Sequence, residues 1–419
     1  MRFFVFLCLL VFSTLQAQKE QPNNWVADID FIQKELPQKH INVFHKLAKK
    51  DFDAQCEALK RKAPNMHPEA VLWSITKIIS NIEDSHTQLL FSTNENFPIN
   101  IQWFKDGYYI TAAERKNEAF LASKIIKING NTVDAIENQI ASVVYSENEA
   151  SKKKLTASLL KNVSLLTYLG IIKQKSVLLE IITPNNKKDI IRFSLNPAIK
   201  SRGQMAFAIP QEIPLFMQNI RAWFWNTNLD NNNALYIKYN ACNSREALVA
   251  NNQLRGASEK QISGIPSFNE FAETMLSQLN NTPYKKLIFD IRGNSGGSSK
   301  QGTDFLEAIK QTSFYKNGGK VYTLIDRDVF SSAIINTVNS KDFLNATIIG
   351  EATSGAPNHF GELKTLELPH SKLKLQYSTK QFKLVKGNAN TITPDILIET
   401  SIHDFISGYD PVLEKALSL

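Results

Sequence analysis

Between Trp25 and Ile82 apolar residues recur at three- to four-residue steps, with Ile29, Ile32 and Leu36 marking one run and Val71, Ile75, Ile78 and Ile79 another. That period gathers them on one face of a helix, so the stretch predicts a small helical N-terminal domain. After Phe97 and Pro98 the pattern changes. Short β-rich runs follow at residues 99–104 and 108–112, then SKIIKINGNTVDAIENQI, in which Asn129-Gly130 predicts a tight turn between a strand and a helix. These mixed elements define a separate module that ends near Pro197. Residues 211–233, rich in Asn, predict a connector or surface loop packed by Trp223 and Trp225.

The C-terminal half alternates. Strands are predicted at 234–239, 286–291, 320–325 and 347–350, and helices at 268–279, 302–309 and 332–338. Such alternation indicates βαβ units and an α/β sheet covered by helices, with functional sites beyond the carboxyl ends of the strands.

A chain of 419 residues with 43% apolar content can bury a substantial core and suggests two or three domains. Its first residues, MRFFVFLCLLVFSTLQAQ, place one Arg before an apolar run from Phe3 to Phe12 and end on small and polar residues. That layout predicts a signal peptide over 1–17 and an exported protein, periplasmic or extracellular. The run is about half of the roughly 20 residues a spanning helix needs, and no second one follows, so stable membrane insertion is not expected. The formal charge of +8 sits in Lys-rich stretches such as 152–154 and 187–188 without interleaved aromatics, which reads as solvated surface and argues against a nucleic-acid partner. Beyond the signal only Cys56 and Cys242 remain, enough for one bridge at most. The seven His are scattered, with neither His-Glu-x-x-His nor paired Cys spacing, so no metal and no cofactor is expected.

Two strand-end segments carry candidate chemistry. In LIFDIRGNSGGSS, residues 287–299, a strand runs into a Gly-rich turn that can aim backbone N–H groups at an anion. It matches neither a Walker loop nor a dinucleotide fingerprint. In TLIDRDVFSSAIINTVNSKDF, residues 323–343, Ser331 stands at the start of a helix, where the N–H of Ser332 and the helix dipole favour a negative oxygen beside its Oγ. Taken alone, such a serine reads more readily as a helix cap.

Together these segments resemble the core of the C-terminal processing peptidases. The Asp-x-Arg-x-Asn-x-Gly-Gly turn appears at 290–297, the Ser-bearing turn at 326–333, Gly-Glu-x-Thr-x-Gly at 350–355, and the Pro-Asp-Ile tail within TPDILIE at 393–399. The resemblance implies a crotonase-like ββα core over 201–419, a PDZ-like module over 96–200 that binds an extended peptide, and the helical domain over 18–95. The motif SKIIKINGNTV is similar to the family's Ile-x-x-Ile-Asn-Gly strand and turn. The implied activity is a serine endopeptidase that acts on protein or peptide substrates through an acyl-enzyme on Ser331, with an oxyanion hole formed by Ser332 and by Gly296 or Gly297. A non-catalytic protein binding a lipophilic ligand or a peptide is the alternative on the same fold.

The base is expected to be a histidine. Tail-specific members use a Lys after Gly-Glu-x-Thr-x-Gly, but the register from Ser331 brings Ala356 there. The tricorn-like branch takes a His from an Asp-Gly-His-Thr motif, and Asp84-Ser85-His86-Thr87 resembles it, which makes His86 the general base and Ser85 its assistant. A neutral imidazole near its ordinary pKa of about 6.5 can serve at neutral pH. His359 is the alternative base, expected on a mobile, solvent-facing loop. For the third member the resemblance points to Asn388, or to Asp342 on the helix after the nucleophile.

Overall fold

The computed structural model describes residues 24–92, 95–195 and 202–419. The expected signal peptide and the module boundary near Pro197 lie outside the described residues.

Helices Trp25–Lys39, Lys49–Lys62 and Pro68–Ser80 form where the apolar period placed them. The Asn24 side chain caps the first, and Pro68 opens the third with the φ that a helix start requires. Their shared core of Ile29, Leu36, Phe52 and Ile75 is closed by residues from far along the chain. Leu368, Leu375 and Tyr377 of the hairpin Asn358–Glu367 and Lys374–Lys383 pack into it. Strand Gln88–Leu90 pairs antiparallel with that hairpin, from Gln88 opposite Gln376 to Leu90 opposite Lys374. The turn carrying His86 is therefore tied to chain that follows Ser331.

The middle module is a sheet in the order Ile99–Phe104, Gly107–Glu114, Lys124–Ile128, Ser176–Ile182, Lys188–Ser194. Asn129 and Gly130 both take positive φ, 47° and 79°, and make the predicted turn ahead of helix Val133–Ala141. Trp73 joins this core from the helical domain, where its Nε1 donates to Ser164 Oγ at 2.8 Å.

In the C-terminal half five parallel strands lie side by side in chain order: Ala234–Tyr239, Lys286–Asp290, Lys320–Ile325, Thr347–Gly350 and Ile396–Leu397. Ile237, Phe289 and Ile325 face one apolar core and Tyr236, Ile288 and Leu324 the other, so the sheet is buried on both sides. Helices Ser299–Ile309 and Ser332–Leu344 follow the second and third of these strands. The expected connector at 211–233 is in part a strand, Phe224–Leu229, which adds antiparallel to Ala234–Tyr239 and lays the Trp225 ring 5.5 Å from Tyr236. Its asparagines hid the pairing, because Asn is depleted in strands, but only an edge position was needed here.

Cys56 and Cys242 are both free and buried, one in the helical core and one in the sheet core. Among the described residues no helix is long and apolar enough to cross a membrane, and no group of three or more His, Cys, Asp or Glu could hold a metal ion.

Candidate active site

Beyond strand Lys320–Ile325 the chain turns and reaches Ser331 with φ 51° and ψ −124°. A side chain held there is strained by about 1–3 kcal/mol, and the surroundings must enforce it. Phe330 N–H donates to Asn294 O at 3.2 Å and Ile334 N–H to Ser331 O at 2.9 Å, which fixes the residue from both sides. Ser331 occupies the N-cap position, but its hydroxyl makes no capping bond.

The Gly-rich turn is pressed against it. A Cβ on Gly296 would sit 2.8 Å from Ser331 Cβ, and one on Gly297 would sit 2.3 Å from Cys242 O; both glycines have φ beyond 100°. Only glycine permits that approach. Asn294 organises the turn: its Oδ1 accepts the Gly296 N–H at 2.9 Å and its Nδ2 donates to Tyr239 O. With Gly296 engaged, the Gly297 and Ser332 N–H groups are left with no acceptor among the described residues. Beneath the turn Arg292 pairs with Asp290 and Asp410, and Lys238 Nζ donates to Arg292 O at 2.5 Å. Burial alone would raise the Asp290 carboxyl, but Arg292 and Lys238 hold it below its ordinary value.

His86 comes to the same place from the helical domain. Asp84 accepts from the His86 backbone N–H at 2.9 Å, from Thr87 Oγ1 at 2.6 Å and from His40 Nε2 at 3.0 Å. Because Asn42 N–H donates to His40 Nδ1, the His40 proton sits on Nε2. Burial works to raise Asp84, yet these donors bring it down to about 2, so it is ionised. It stands 4.0 Å from His86 Nδ1. The His86 ring lies between Phe330, 4.5 Å away, and His359, 5.6 Å away, and Phe382 extends the stack 5.1 Å beyond His359. Neither His86 ring nitrogen has a hydrogen-bond partner among the described residues. Burial, with His359 adding to it against Asp84, pushes His86 down to about 4 rather than leaving it near 6.5.

His359 is placed differently from its expectation. It is buried on the hairpin strand and not on a solvent-facing loop, because the hairpin is needed to close the helical core. Its Nδ1 meets Ala356 O at 2.9 Å and therefore donates, and burial lowers its pKa.

Ser85, His86, Gly297, Ser331, Ser332 and His359 line one cavity of about 670 Å³. Asn388 and Asp342 do not. Asn388 is exposed on the chain after the hairpin. Asp342 is exposed eleven residues along the serine helix, which at 1.5 Å per residue is about 16 Å from Ser331.

A residue the sequence did not reveal is Glu147, in the loop before helix Glu149–Leu159. Its carboxylate accepts from the Ser85 hydroxyl and, at 2.5 Å, from the Ala356 N–H. Burial pushes it up to about 7 against those two hydrogen bonds, with Asp84 adding to the rise. Asn148 next to it donates to Thr353 O, Ser354 O and Asn390 O, and Asn390 Nδ2 donates back to Glu147 O. In sequence Glu147 sits in YSENEASKKK, which reads as a solvated charged stretch and gives no local sign of a site.

No protein-family model and no curated protein matches the sequence. Solved structures do. Mature CPAF aligns with a TM-score of 0.64 and 15% identity, covering 94% of this chain and 96% of that one. Mature CPAF complexed with lactacystin aligns at 0.61 and 14%, over 94% and 97%. The photosystem II D1 C-terminal processing protease aligns at 0.41 and 12%, over 93% and 99%. By fold, the chain is similar to mature CPAF over nearly the whole of both chains.

Proposed function

We propose that the chain is a serine endopeptidase that cleaves peptide bonds of exported proteins through an acyl-enzyme on Ser331, with His86 as general base. One observation carries this reading: a single cavity collects a strained serine, two unengaged backbone N–H groups and a buried histidine whose ring nitrogens have no partner. Ser331 Oγ attacks the scissile carbonyl while a ring nitrogen of His86 takes its proton. The tetrahedral oxyanion is met by Gly297 and Ser332 N–H, each worth on the order of 3 kcal/mol in the transition state. Collapse expels the amine, which receives the proton from His86, and water then hydrolyses the ester by the reverse sequence.

Serines, histidines, lysines and amides dominate the cavity lining, which suits a peptide bond better than a lipophilic ligand. We read the C-terminal sheet and its two turns as crotonase-like and the middle module as PDZ-like. A cavity of about 580 Å³ lies where edge strand Ile99–Phe104 and helix Glu149–Leu159 of that module face Asp326, Arg327 and Glu351 of the C-terminal half. Export rests on residues 1–17 alone. The test is turnover of an unstructured peptide. His86→Ala lowers it by at least about a thousandfold with binding nearly intact, as loss of a triad member does. If His359→Ala abolishes turnover and His86→Ala spares it, the base comes from the hairpin.

A further inference from the structure

When His86 takes the Ser331 proton, a buried ring becomes an imidazolium whose nitrogens have no acceptor in hydrogen-bond range among the described residues. Burial, with His359 adding to it, holds the ring's pKa down at about 4, so that charge forms less readily than in water. Asp84 does not accept from the ring in this geometry: its Oδ1 is 4.0 Å from His86 Nδ1 and takes the His86 backbone N–H, while its Oδ2 accepts from His40 and Thr87. Asn388 and Asp342 lie outside the cavity.

We propose that Glu147 is the positioning carboxylate of this site and acts on His86 through the Ser85 hydroxyl. The proposal rests on the peptidase reading above. Ser85 precedes His86 and lines the same cavity, and its proton is given to Glu147. The hydroxyl therefore offers the cavity only acceptor lone pairs, backed by a carboxylate. Those lone pairs become favourable once the imidazolium forms. Asn148 and Asn390 lace the Glu147 loop to chain just after Asn388, to which the resemblance pointed for the third member. An acid from the middle module thus reaches the region where the C-terminal chain supplies an asparagine.

Asp84 and Tyr145 are the titratable groups that face Glu147, Glu83 stands against Tyr145, and His86 and His359 share the cavity. Glu147 is charged only near and above pH 7, whereas His86 is neutral above about 4. Two steps in reactivity follow.

The experiment measures the rate at which a fluorophosphonate inactivates Ser331 in the full chain from pH 4 to 9. Wild type, Glu147→Gln, Ser85→Ala and the double variant are compared. Wild type climbs in two steps, near pH 4 and near pH 7. Glu147→Gln loses the upper step, so it is about tenfold slower at pH 8 yet level with wild type at pH 5.5, and the double variant is no slower than Ser85→Ala. An upper step retained in Glu147→Gln, an equal loss at every pH, or additive losses in the double variant would overturn the proposal. If Glu147→Gln does not fold, Ser85→Ala decides: loss of its upper step supports the proposal and retention overturns it. A folded wild type never labelled at Ser331 overturns the peptidase reading together with this proposal, whereas a labelled wild type with an unchanged Glu147→Gln overturns the proposal alone.

Discussion

Gly296→Ala isolates the contact that presses the Gly-rich turn against Ser331, the proposed nucleophile. The added methyl would stand 2.8 Å from Ser331 Cβ, 3.0 Å from Ser332 N and 3.1 Å from Phe330 O. Ordinary contact begins near 3.4 Å, so the turn and the serine must separate by about 0.6 Å. The backbone adds its own cost, because φ of +110° is strained for alanine by about 1–3 kcal/mol. A shift of that size at the reacting atoms is worth on the order of tenfold to a hundredfold in rate. Gly293→Ala is the matched control: φ is +77° and nothing lies within 4 Å of the new methyl, so it is strained but clears the serine. Both variants should lose stability, measured as Tm, Gly296→Ala the more because it adds the clash to the strain, while only Gly296→Ala slows fluorophosphonate labelling of Ser331. Wild-type labelling in Gly296→Ala, or equal slowing in both, would refute the reasoning.

Other consequences concern the buried charges. Asp84 is held at about 2 against 3.8 when unfolded, so its contribution of about 2 kcal/mol is complete above pH 4 and is lost as pH falls toward 2. Asp84→Asn should remove that part of the acid-unfolding slope, read from urea midpoints between pH 2 and 5. Glu147 has the opposite sign, since a folded value of about 7 against 4.5 costs up to about 3 kcal/mol as pH rises between those values. Glu147→Gln should accordingly flatten the urea midpoint between pH 4.5 and 8. Asp410→Ala leaves buried Arg292 short of a partner and should cost about 3–5 kcal/mol in chemical denaturation. Trp73→Phe deletes the Nε1 bond to Ser164 and should cost about 1 kcal/mol, with a phenyl ring retaining most of the packing.

The parts of this architecture that were legible are those whose cause is local. The parallel strands showed themselves as apolar runs because both faces are covered, and Asn129-Gly130 announced its turn because two successive positive φ angles favour Asn and Gly. Strand Phe224–Leu229 was hidden, since its place depends on a sheet edge formed by chain that follows it. The site divides in the same way. Ser331, His86 and the glycines stand in short motifs whose residue types are imposed by turns and close approaches. Glu147 stands in no motif, and its environment is created by Ser85, Ala356 and Asn390, residues far from it in sequence. Its raised pKa belongs to that assembly, so no window of sequence could display it. His359 was misplaced for the same reason, because its loop became a strand only through its role in the helical core.

The most direct measurement is intact-protein and peptide mass spectrometry of the folded chain after reaction with a fluorophosphonate, alongside peptide hydrolysis by the same sample. A single adduct on Ser331, with hydrolysis lost in proportion to labelling and absent in Ser331→Ala, is the expected result. Hydrolysis that persists in Ser331→Ala, or a folded protein that takes no adduct at Ser331, would contradict it.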